Sequence, residues 1–290
     1  MQNPIFTELP SLTALELTAL EDCSEESVYA PGHIQPHGIV LMLQGADLKI
    51  LQVSENVEQF FGISATALLR QPLQRLFSKN QVQQIENCLN QKNAENYQTF
   101  ELKNPRKHRQ TQKFRGILHQ RADGLILELE PQLPTEKTNA TGFYHRLQAA
   151  ILNLRSAANL ADLAQIIARE VKGMTGFDRV MVYRFEADEH GVVIAEEKES
   201  HLESYLGLHY PATDIPLPAR KLFHHNWVRQ IPDVNYTPAR LIPTHHPLTD
   251  TPVDLSACAL RGVHPYHIEY LQNMGVVGSL TTPIFGKYSI

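Results

Sequence analysis

The sequence predicts an α+β fold in two domains, and three observations support that prediction. The chain has 290 residues, which is about the length of two average domains. In both halves, short apolar runs of strand length lie before and after helical segments, an order typical of α+β proteins. The hydrophobic fraction of 42% is large enough to form cores. With 20% charged residues and a net charge of -5, the composition does not favour a nucleic-acid or membrane-surface partner.

Targeting and cross-linking signals are not predicted. The first 26 residues are acidic and have no basic region before an apolar stretch, so we do not interpret them as a signal peptide. No apolar run approaches the ~18–20 residues of a membrane helix. Cys23, Cys88 and Cys258 are too far apart to indicate a disulfide framework or a zinc knuckle. We therefore expect a cytoplasmic protein.

The first half begins with an irregular arm, residues 1–30, and continues as a domain over residues 31–131. Two strand candidates joined by a turn form a hairpin, and short helices and three more strands follow. The predicted strands are 38–43, 48–53, 97–102, 112–120 and 125–131, and the predicted helices are 57–61, 65–68 and 81–89. We expect an antiparallel sheet flanked by helices.

The second half follows a polar, proline-bearing linker, residues 132–140, and forms a domain over residues 141–290. Its first segment, 141–174, has helical periodicity and predicts one long helix or two with a break near 157–160. That helix exceeds what one domain needs, so we expect it also to pack against a partner. Strands at 179–185 and 191–197, helices at 219–226 and 265–274, and a strand from 279 complete the prediction. Residues 230–252 form a turn-rich loop, a length that usually carries function or is held by another element.

Three stretches of the chain resemble phytochromes. Residues 210–223, YPATDIPLPARKLF, resemble the Asp-Ile-Pro motif of phytochrome GAF domains. Residues 260–276, LRGVHPYHIEYLQNMGV, resemble the chromophore-facing helix of the same domain, and residues 23–43, CSEESVYAPGHIQPHGIVLML, resemble the start of the bacteriophytochrome PAS domain. The three matches occur in the family's order and span most of the chain.

The resemblance implies a PAS domain and a GAF domain joined by a figure-of-eight knot. It also implies a red/far-red photoreceptor module that covalently binds biliverdin, a linear tetrapyrrole, and is not an enzyme. A homodimer through the GAF helices is the expected assembly. The family's final GAF strands and a second chromophore-facing histidine have no counterpart before the last residues, GKYSI, so the GAF domain is expected to be incomplete at its C-terminal end.

Cys23 is the expected attachment residue. A bilin is attached by adding a thiol across a vinyl group, which requires a reachable, nucleophilic sulfur, and a cysteine on an arm meets the condition of reach. Phytochromes that use phycocyanobilin carry their cysteine in the GAF helix, at the position held here by Tyr266. Biliverdin on Cys23 is therefore preferred, and Cys258 is interpreted as a small packing residue.

The resemblance also assigns pocket residues. A protonated bilin has four N–H donors and needs acceptors, which by resemblance are supplied around Asp214 and by His267. The prolines after Asp214 are expected to hold its backbone extended. Aromatic side chains would surround the rotating D-ring, and two arginines would bind the propionates through their guanidinium forks. The expected pocket residues are Tyr183, Asp214, Ile215, Pro216, Phe223, Arg229, Arg261, His264, Tyr266, His267 and Tyr270.

Two positions depart from the family pattern. Phe223 replaces a tyrosine often found there, and His264 replaces a serine. We hypothesise that titration of His264 tunes bilin protonation, an idea that fails if His264→Ser leaves the pH dependence of the absorbance unchanged.

Two other functions stay open from the sequence. One is a non-photoactive PAS–GAF dimerisation or interaction protein, which a short C-terminus favours. The other is a GAF domain that binds a cyclic nucleotide, which only general GAF character supports.

Overall fold

A computed structural model describes residues 25–44, 47–89, 98–103, 112–121, 124–132 and 140–285. The chain divides into two compact units. The first unit contains residues 1–133 together with 217–290, and the second contains residues 134–216. No helix among the described residues is both long enough and apolar enough to cross a bilayer.

The first unit is built on a seven-stranded antiparallel sheet. Its helices are α1 (Glu25–Tyr29), α2 (Val57–Phe61), α3 (Ala65–Leu68), α4 (Lys79–Leu89), α7 (Leu217–Lys221) and α8 (Pro265–Asn273), with 3-10 turns at Leu73–Arg75 and Leu222–His224. The strands of the first unit, inside and outside that sheet, are β1 (His33–Ile34), β2 (Ile39–Gln44), β3 (Lys49–Ser54), β4 (Gln98–Lys103), β5 (Lys113–Arg121), β6 (Gly124–Pro131), β10 (Arg229–Ile231), β11 (Ala239–Ile242) and β12 (Ser279–Thr281).

The order of strands in the large sheet is β1-β11-β3-β2-β6-β5-β4. The strands of the N-terminal domain thus gain a neighbour from the C-terminal half, because β11 pairs antiparallel with β3 and places Leu241 opposite Ser54. The short strand β1 then pairs with the outer edge of β11. The sequence missed β1, β10 and β11, since strands of two to four residues carry little periodicity and these three pair with distant segments.

Each face of the large sheet is covered by a different part of the chain. One face packs on the short helices α2 to α4, with Phe61, Leu68 and Phe114 among its buried side chains. The opposite face packs on a segment from the C-terminal half, residues 253–263, which we call the return segment. Its side chains Leu255, Cys258 and Leu260 are fully buried in this second core, so the interpretation of Cys258 as a packing residue is confirmed.

The second unit contains two helices and a three-stranded sheet. The helices are α5 (Ala140–Arg155) and α6 (Leu160–Thr175), and the strands are β7 (Arg179–Phe185), β8 (Gly191–Lys198) and β9 (His209–Tyr210), in the order β7-β8-β9. The segment predicted to form one long helix or two therefore forms two helices. The break occurs because Asn159 caps α6 by accepting a hydrogen bond from the Asp162 N–H at 2.9 Å. Ala164 and Ala168 of α6 pack on Ala195.

Most other predicted elements are confirmed within a residue or two. The helices α2 and α3 and the strand β7 have the predicted bounds. The predicted helix 219–226 is instead a short helix and a 3-10 turn, and α1 lies in an arm expected to be irregular. The figure-of-eight knot stays a prediction.

Candidate functional site

The predicted site residues are divided between the two units. The first unit carries Phe223, Arg229, Arg261, His264, Tyr266, His267 and Tyr270. The second carries Tyr183, Asp214, Ile215 and Pro216. Cys23, the predicted attachment residue, lies outside the described residues.

The return segment and residues 29–35 hold each other by backbone hydrogen bonds. The Leu255 N–H donates to the Tyr29 carbonyl at 2.7 Å, and the Gln35 N–H donates to the Leu260 carbonyl at 2.8 Å. The Gly262 N–H donates to the His33 carbonyl at 3.0 Å. Because these bonds join residues more than 200 positions apart, the path of the return segment depends on residues 29–35.

Arg229 lies at the start of β10 and points its guanidinium at the return segment. It donates to the carbonyls of Ala259, Arg261 and Gly262 at 3.0, 2.7 and 3.2 Å. Burial and the neighbouring charge of Arg261 lower the pKa of Arg229 to about 9. The side chain is half-buried and stays charged at neutral pH.

Arg261 is more deeply placed, with 6% of its surface exposed. One of its terminal nitrogens donates to the Val28 carbonyl at 3.3 Å, while its Nε atom is buried with no hydrogen-bond partner among the described residues. Burial lowers its pKa to about 10, and nearby negative groups oppose that shift. An unmatched donor on a buried cation is energetically costly, so this position favours an anionic partner.

Neither arginine forms an ion pair within 4.0 Å in the described part of the chain. Among the described residues, their guanidiniums therefore have only carbonyl acceptors. Two desolvated cations side by side are a suitable site for a ligand with carboxylate groups, since a guanidinium fork pairs well with carboxylate oxygens.

The helix α8 carries four of the predicted residues. His264 is its N-cap, with Nδ1 accepting from the Tyr266 N–H at 3.4 Å, and Pro265 occupies the first turn. Tyr266, His267 and Tyr270 are exposed on the unit's surface. The N-cap role requires an unprotonated Nδ1 on His264, which gives this residue a structural task that the sequence did not suggest.

His267 is accessible to solvent but crowded by protein. Burial, with smaller contributions from the charges of Arg229 and His264, lowers its pKa to about 4. At neutral pH the imidazole is uncharged, so one ring nitrogen can accept a hydrogen bond.

Phe223 and Asp214 lie in short 3-10 turns. Phe223 is half-buried within Leu222–His224. Asp214 ends the turn Ala212–Asp214, so the prediction of extended backbone at Asp214 is wrong. The restriction before Pro216 acts on Ile215, whose φ of -128° and ψ of 86° are non-helical, and not on Asp214 itself. Burial raises the pKa of the Asp214 carboxyl.

Tyr183 belongs to an aromatic cluster on the sheet of the second unit. Its ring centroid lies 5.3 Å from that of Phe185 and 5.9 Å from that of Tyr210. Its hydroxyl lies over Gly191, where a Cβ atom would come within 1.8 Å of it. Gly191 therefore leaves the space that the tyrosine ring occupies.

The sequence missed a buried polar group beneath the return segment. Glu128 of β6 is fully buried, and its two oxygens accept from the Ala259 N–H at 3.2 Å and the Leu260 N–H at 2.7 Å. His119 of β5 contacts the same carboxylate through Nε2 at 2.5 Å. The position of Glu128 between Leu127 and Leu129 indicated that its side chain lies on the opposite face of the strand. Alternation alone suggested that this face is exposed to water.

Two protein-family models match the chain, a PAS fold over residues 23–132 and a GAF domain over residues 159–288. Cyanobacterial phytochrome B of Nostoc sp. is 46% identical over 91% of this chain and 35% of its own length. A bacteriophytochrome of Xanthomonas campestris is 36% identical over 94% of this chain and 42% of its own length. The chain thus spans well under half the length of these curated relatives.

Solved structures give the same result. The chromophore-binding domain of wild-type phytochrome P1 from Stigmatella aurantiaca is 39% identical, with a TM-score of 0.79 over 89% of this chain and 84% of that chain. The chromophore-binding domain of an unusual bacteriophytochrome from R. palustris is 37% identical, with a TM-score of 0.80 over 89% and 83% of the two chains.

Proposed function

Because the chain belongs to the phytochrome family and has its PAS–GAF fold, we propose that it is a red/far-red photoreceptor module. Its cofactor would be biliverdin, attached through a thioether to Cys23. The bound bilin would supply the light-driven isomerisation of a methine bridge. The chain would catalyse no reaction on another molecule, and its attachment to the bilin would be self-catalysed.

The paired arginines are the observation that carries this proposal. Biliverdin has two propionate groups, and Arg229 and Arg261 are desolvated cations with no carboxylate within 4.0 Å in the described residues. The unmatched Nε of Arg261 fits one further acceptor. A propionate on this pair would offset the cost of burying the charges, since charge-assisted hydrogen bonds are about twice as strong as neutral ones.

Uncharged acceptors would hold the pyrrole nitrogens. With a pKa of about 4, His267 is neutral at pH 7 and can accept an N–H bond. Asp214, followed by Ile215 and Pro216, would present a backbone carbonyl to the same nitrogens. These two roles come from the family resemblance, and the electrostatics of His267 support the first.

Aromatic side chains would form the walls around the rotating ring. Tyr183 and Phe223 are half-buried, and Tyr266 and Tyr270 are exposed, so part of each ring would face a ligand. Because Phe223 lacks a hydroxyl, that wall would offer one hydrogen bond fewer than a tyrosine. His264, the N-cap of α8, would lie beside the propionates.

One experiment tests covalent attachment. We would mix the apoprotein with biliverdin, denature it in acid urea and ask whether the colour migrates with the chain. We expect colour on the wild type and on Cys88→Ala, the matched control, and none on Cys23→Ala. Loss of colour from the wild type, or its retention in Cys23→Ala, would refute the attachment. Red light on the loaded protein should then shift its absorbance, and no shift would refute the photoreceptor.

A homodimer is a second part of the proposal, and the exposed apolar face of α5 supports it. Phe143, Tyr144, Ile151 and Leu152 are 53%, 57%, 43% and 65% exposed. Leu152→Arg should shift the chain from dimer to monomer in analytical ultracentrifugation, with Asn153→Arg on the same helix as the control. The same face favours the alternative, a PAS–GAF interaction protein. A chain that dimerises but takes up no biliverdin would support that alternative.

A further inference from the structure

The buried pair Glu128 and His119 contacts the segment that carries Arg261, although both residues belong to the sheet of the N-terminal domain. They lie on the sheet face that packs against the return segment, together with Ile117 and Ile126. Glu128 is 0% exposed and His119 3% exposed. A buried carboxylate is retained only where hydrogen bonds and charges compensate it, so its partners indicate what it does.

Glu128 accepts hydrogen bonds from two successive N–H groups of the return segment, those of Ala259 and Leu260. Arg229 donates hydrogen bonds to the carbonyl oxygens of the same segment, at Ala259, Arg261 and Gly262. The peptide groups of 259–262 are therefore fixed by a carboxylate through their donors and by a guanidinium through their acceptors. Moving either charged group would move the main chain that carries Arg261.

Glu128 also contributes part of the negative charge near the two arginines. Its effect on the pKa comes after that of Tyr236 at Arg229 and after those of Cys258, Asp254 and Tyr29 at Arg261. Its field raises the pKa of both Arg229 and Arg261 against the lowering effect of burial. Without it, both guanidiniums would be less favourably charged in the same desolvated place. The carboxylate is therefore electrostatically linked to both cations as well as bonded to the segment beside them.

A metal site is the competing explanation for this group. Ligand atoms of His119, Glu128 and Cys258 lie within 4.8 Å of one another, the one such group of three among the described residues. Both oxygens of Glu128 already accept hydrogen bonds, and burial raises the pKa of the Cys258 thiol well above its usual value. Arg229, Arg261 and Arg121 add positive charge around the group, which disfavours a divalent cation.

We propose that Glu128, supported by His119, is a positioning residue that fixes Arg229 and Arg261 for the carboxylates of the ligand. This inference rests on the proposed function, because the ligand carboxylates are the bilin propionates. In this way, the sheet of the PAS domain determines the anion-binding geometry of a segment from the GAF domain. Glu128 itself touches no ligand in this scheme.

The test compares two ligands in a Cys23→Ala background, where binding is reversible. We define the ester penalty as the dissociation constant of biliverdin dimethyl ester divided by that of biliverdin, both measured by absorbance titration. Esterification removes the charges that the arginines bind, so the wild-type background should show an ester penalty of about tenfold or more. In Glu128→Gln we expect the penalty to fall towards one.

The ester penalty separates positioning from a general structural role. If Glu128 only stabilised the fold, its substitution would weaken both ligands equally and leave the penalty unchanged, a result that would overturn the proposal. Glu130→Gln is the matched control. It lies two residues along β6 in an ion pair with Arg115 and should keep the wild-type penalty. If Glu128→Gln does not fold, Glu128→Asp retracts the carboxylate by one methylene, and an unchanged penalty there refutes the proposal equally.

A second readout needs no ligand. The amide hydrogens of Ala259 and Leu260 should exchange with solvent at least tenfold faster in Glu128→Gln than in the wild type, since a glutamine oxygen can replace only part of the carboxylate's capacity to accept. Unchanged exchange rates would overturn the proposal that Glu128 fixes the main chain of the return segment. If the wild type binds neither tetrapyrrole, the proposed function fails, and the exchange rates still decide whether Glu128 fixes the return segment.

Discussion

Leu260 of the return segment packs directly on Gly38, the residue before β2, and replacing each with alanine perturbs this contact in opposite senses. Leu260 is fully buried. A Cβ atom on Gly38 would lie 2.6 and 2.8 Å from the two Leu260 methyl carbons and 2.8 Å from the Leu129 carbonyl oxygen. Leu260→Ala therefore opens a cavity, and Gly38→Ala overfills the same place.

The magnitudes follow from these contacts. Leu260→Ala removes three carbon atoms, about 2.5 kcal/mol of transfer free energy, and the cavity raises the cost to about 3 to 4 kcal/mol. Gly38→Ala costs about 1 to 2 kcal/mol, because overpacking is partly offset by the lower entropy of the unfolded alanine chain. In the double variant the leucine methyls are absent but the Leu129 carbonyl remains. We expect it to be about 1 kcal/mol more stable than the sum of the single changes predicts.

Urea unfolding of all four chains, followed by far-ultraviolet circular dichroism, measures this coupling. The transition of the first unit should move to lower urea in each single variant. Strict additivity would refute the contact between the two residues. A cost below about 1 kcal/mol for Leu260→Ala would refute the packing of the return segment on the sheet.

Three further predictions concern the helices and the site. Asn159→Ala removes the cap of α6 and should lower the stability of the second unit by about 1 kcal/mol in thermal unfolding. The His267 imidazole should titrate with a midpoint of about 4 by NMR, and Arg229→Gln should raise that midpoint, because losing a nearby cation favours the protonated form. Gly191→Ala should push the Tyr183 ring aside, changing its NMR shifts at a cost of about 1 to 3 kcal/mol, since the hydroxyl and two ring carbons lie 1.8 to 2.1 Å from the added Cβ and the rigid ring must move as a whole.

Elements with a local signal could be predicted from the sequence, and elements that depend on distant partners could not. The helix Val57–Phe61 and the strand Arg179–Phe185 have the predicted bounds because periodicity and flanking turns specify them. The strand Ala239–Ile242 has four residues in a turn-rich stretch, and only its pairing with Lys49–Ser54 makes it a strand. A single sequence does not record such a pairing.

The same difference applies to the site. Arg261 and His267 are assigned from the short motif at residues 260–276 and Arg229 from the family resemblance, and their roles stay predictions. Glu128 could not be assigned, because the strand alternation that places Leu127 and Leu129 in the core assigns the acid to the opposite face. Whether that face meets water or protein depends on a segment more than 100 residues later.

The pairing of β11 with β3 has a consequence for synthesis on the ribosome. Until residue 242 has left the exit tunnel, the N-terminal strands lack the neighbour that covers the edge of β3. Val40, Met42 and Ile126 lack their covering segment until residue 260 has also left it. An exposed strand edge beside an apolar face is a template for association between nascent chains. More than 100 residues are translated between the end of β6 and that pairing, so the nascent N-terminal domain has an unpaired strand edge and an uncovered apolar face until the second half of the chain arrives.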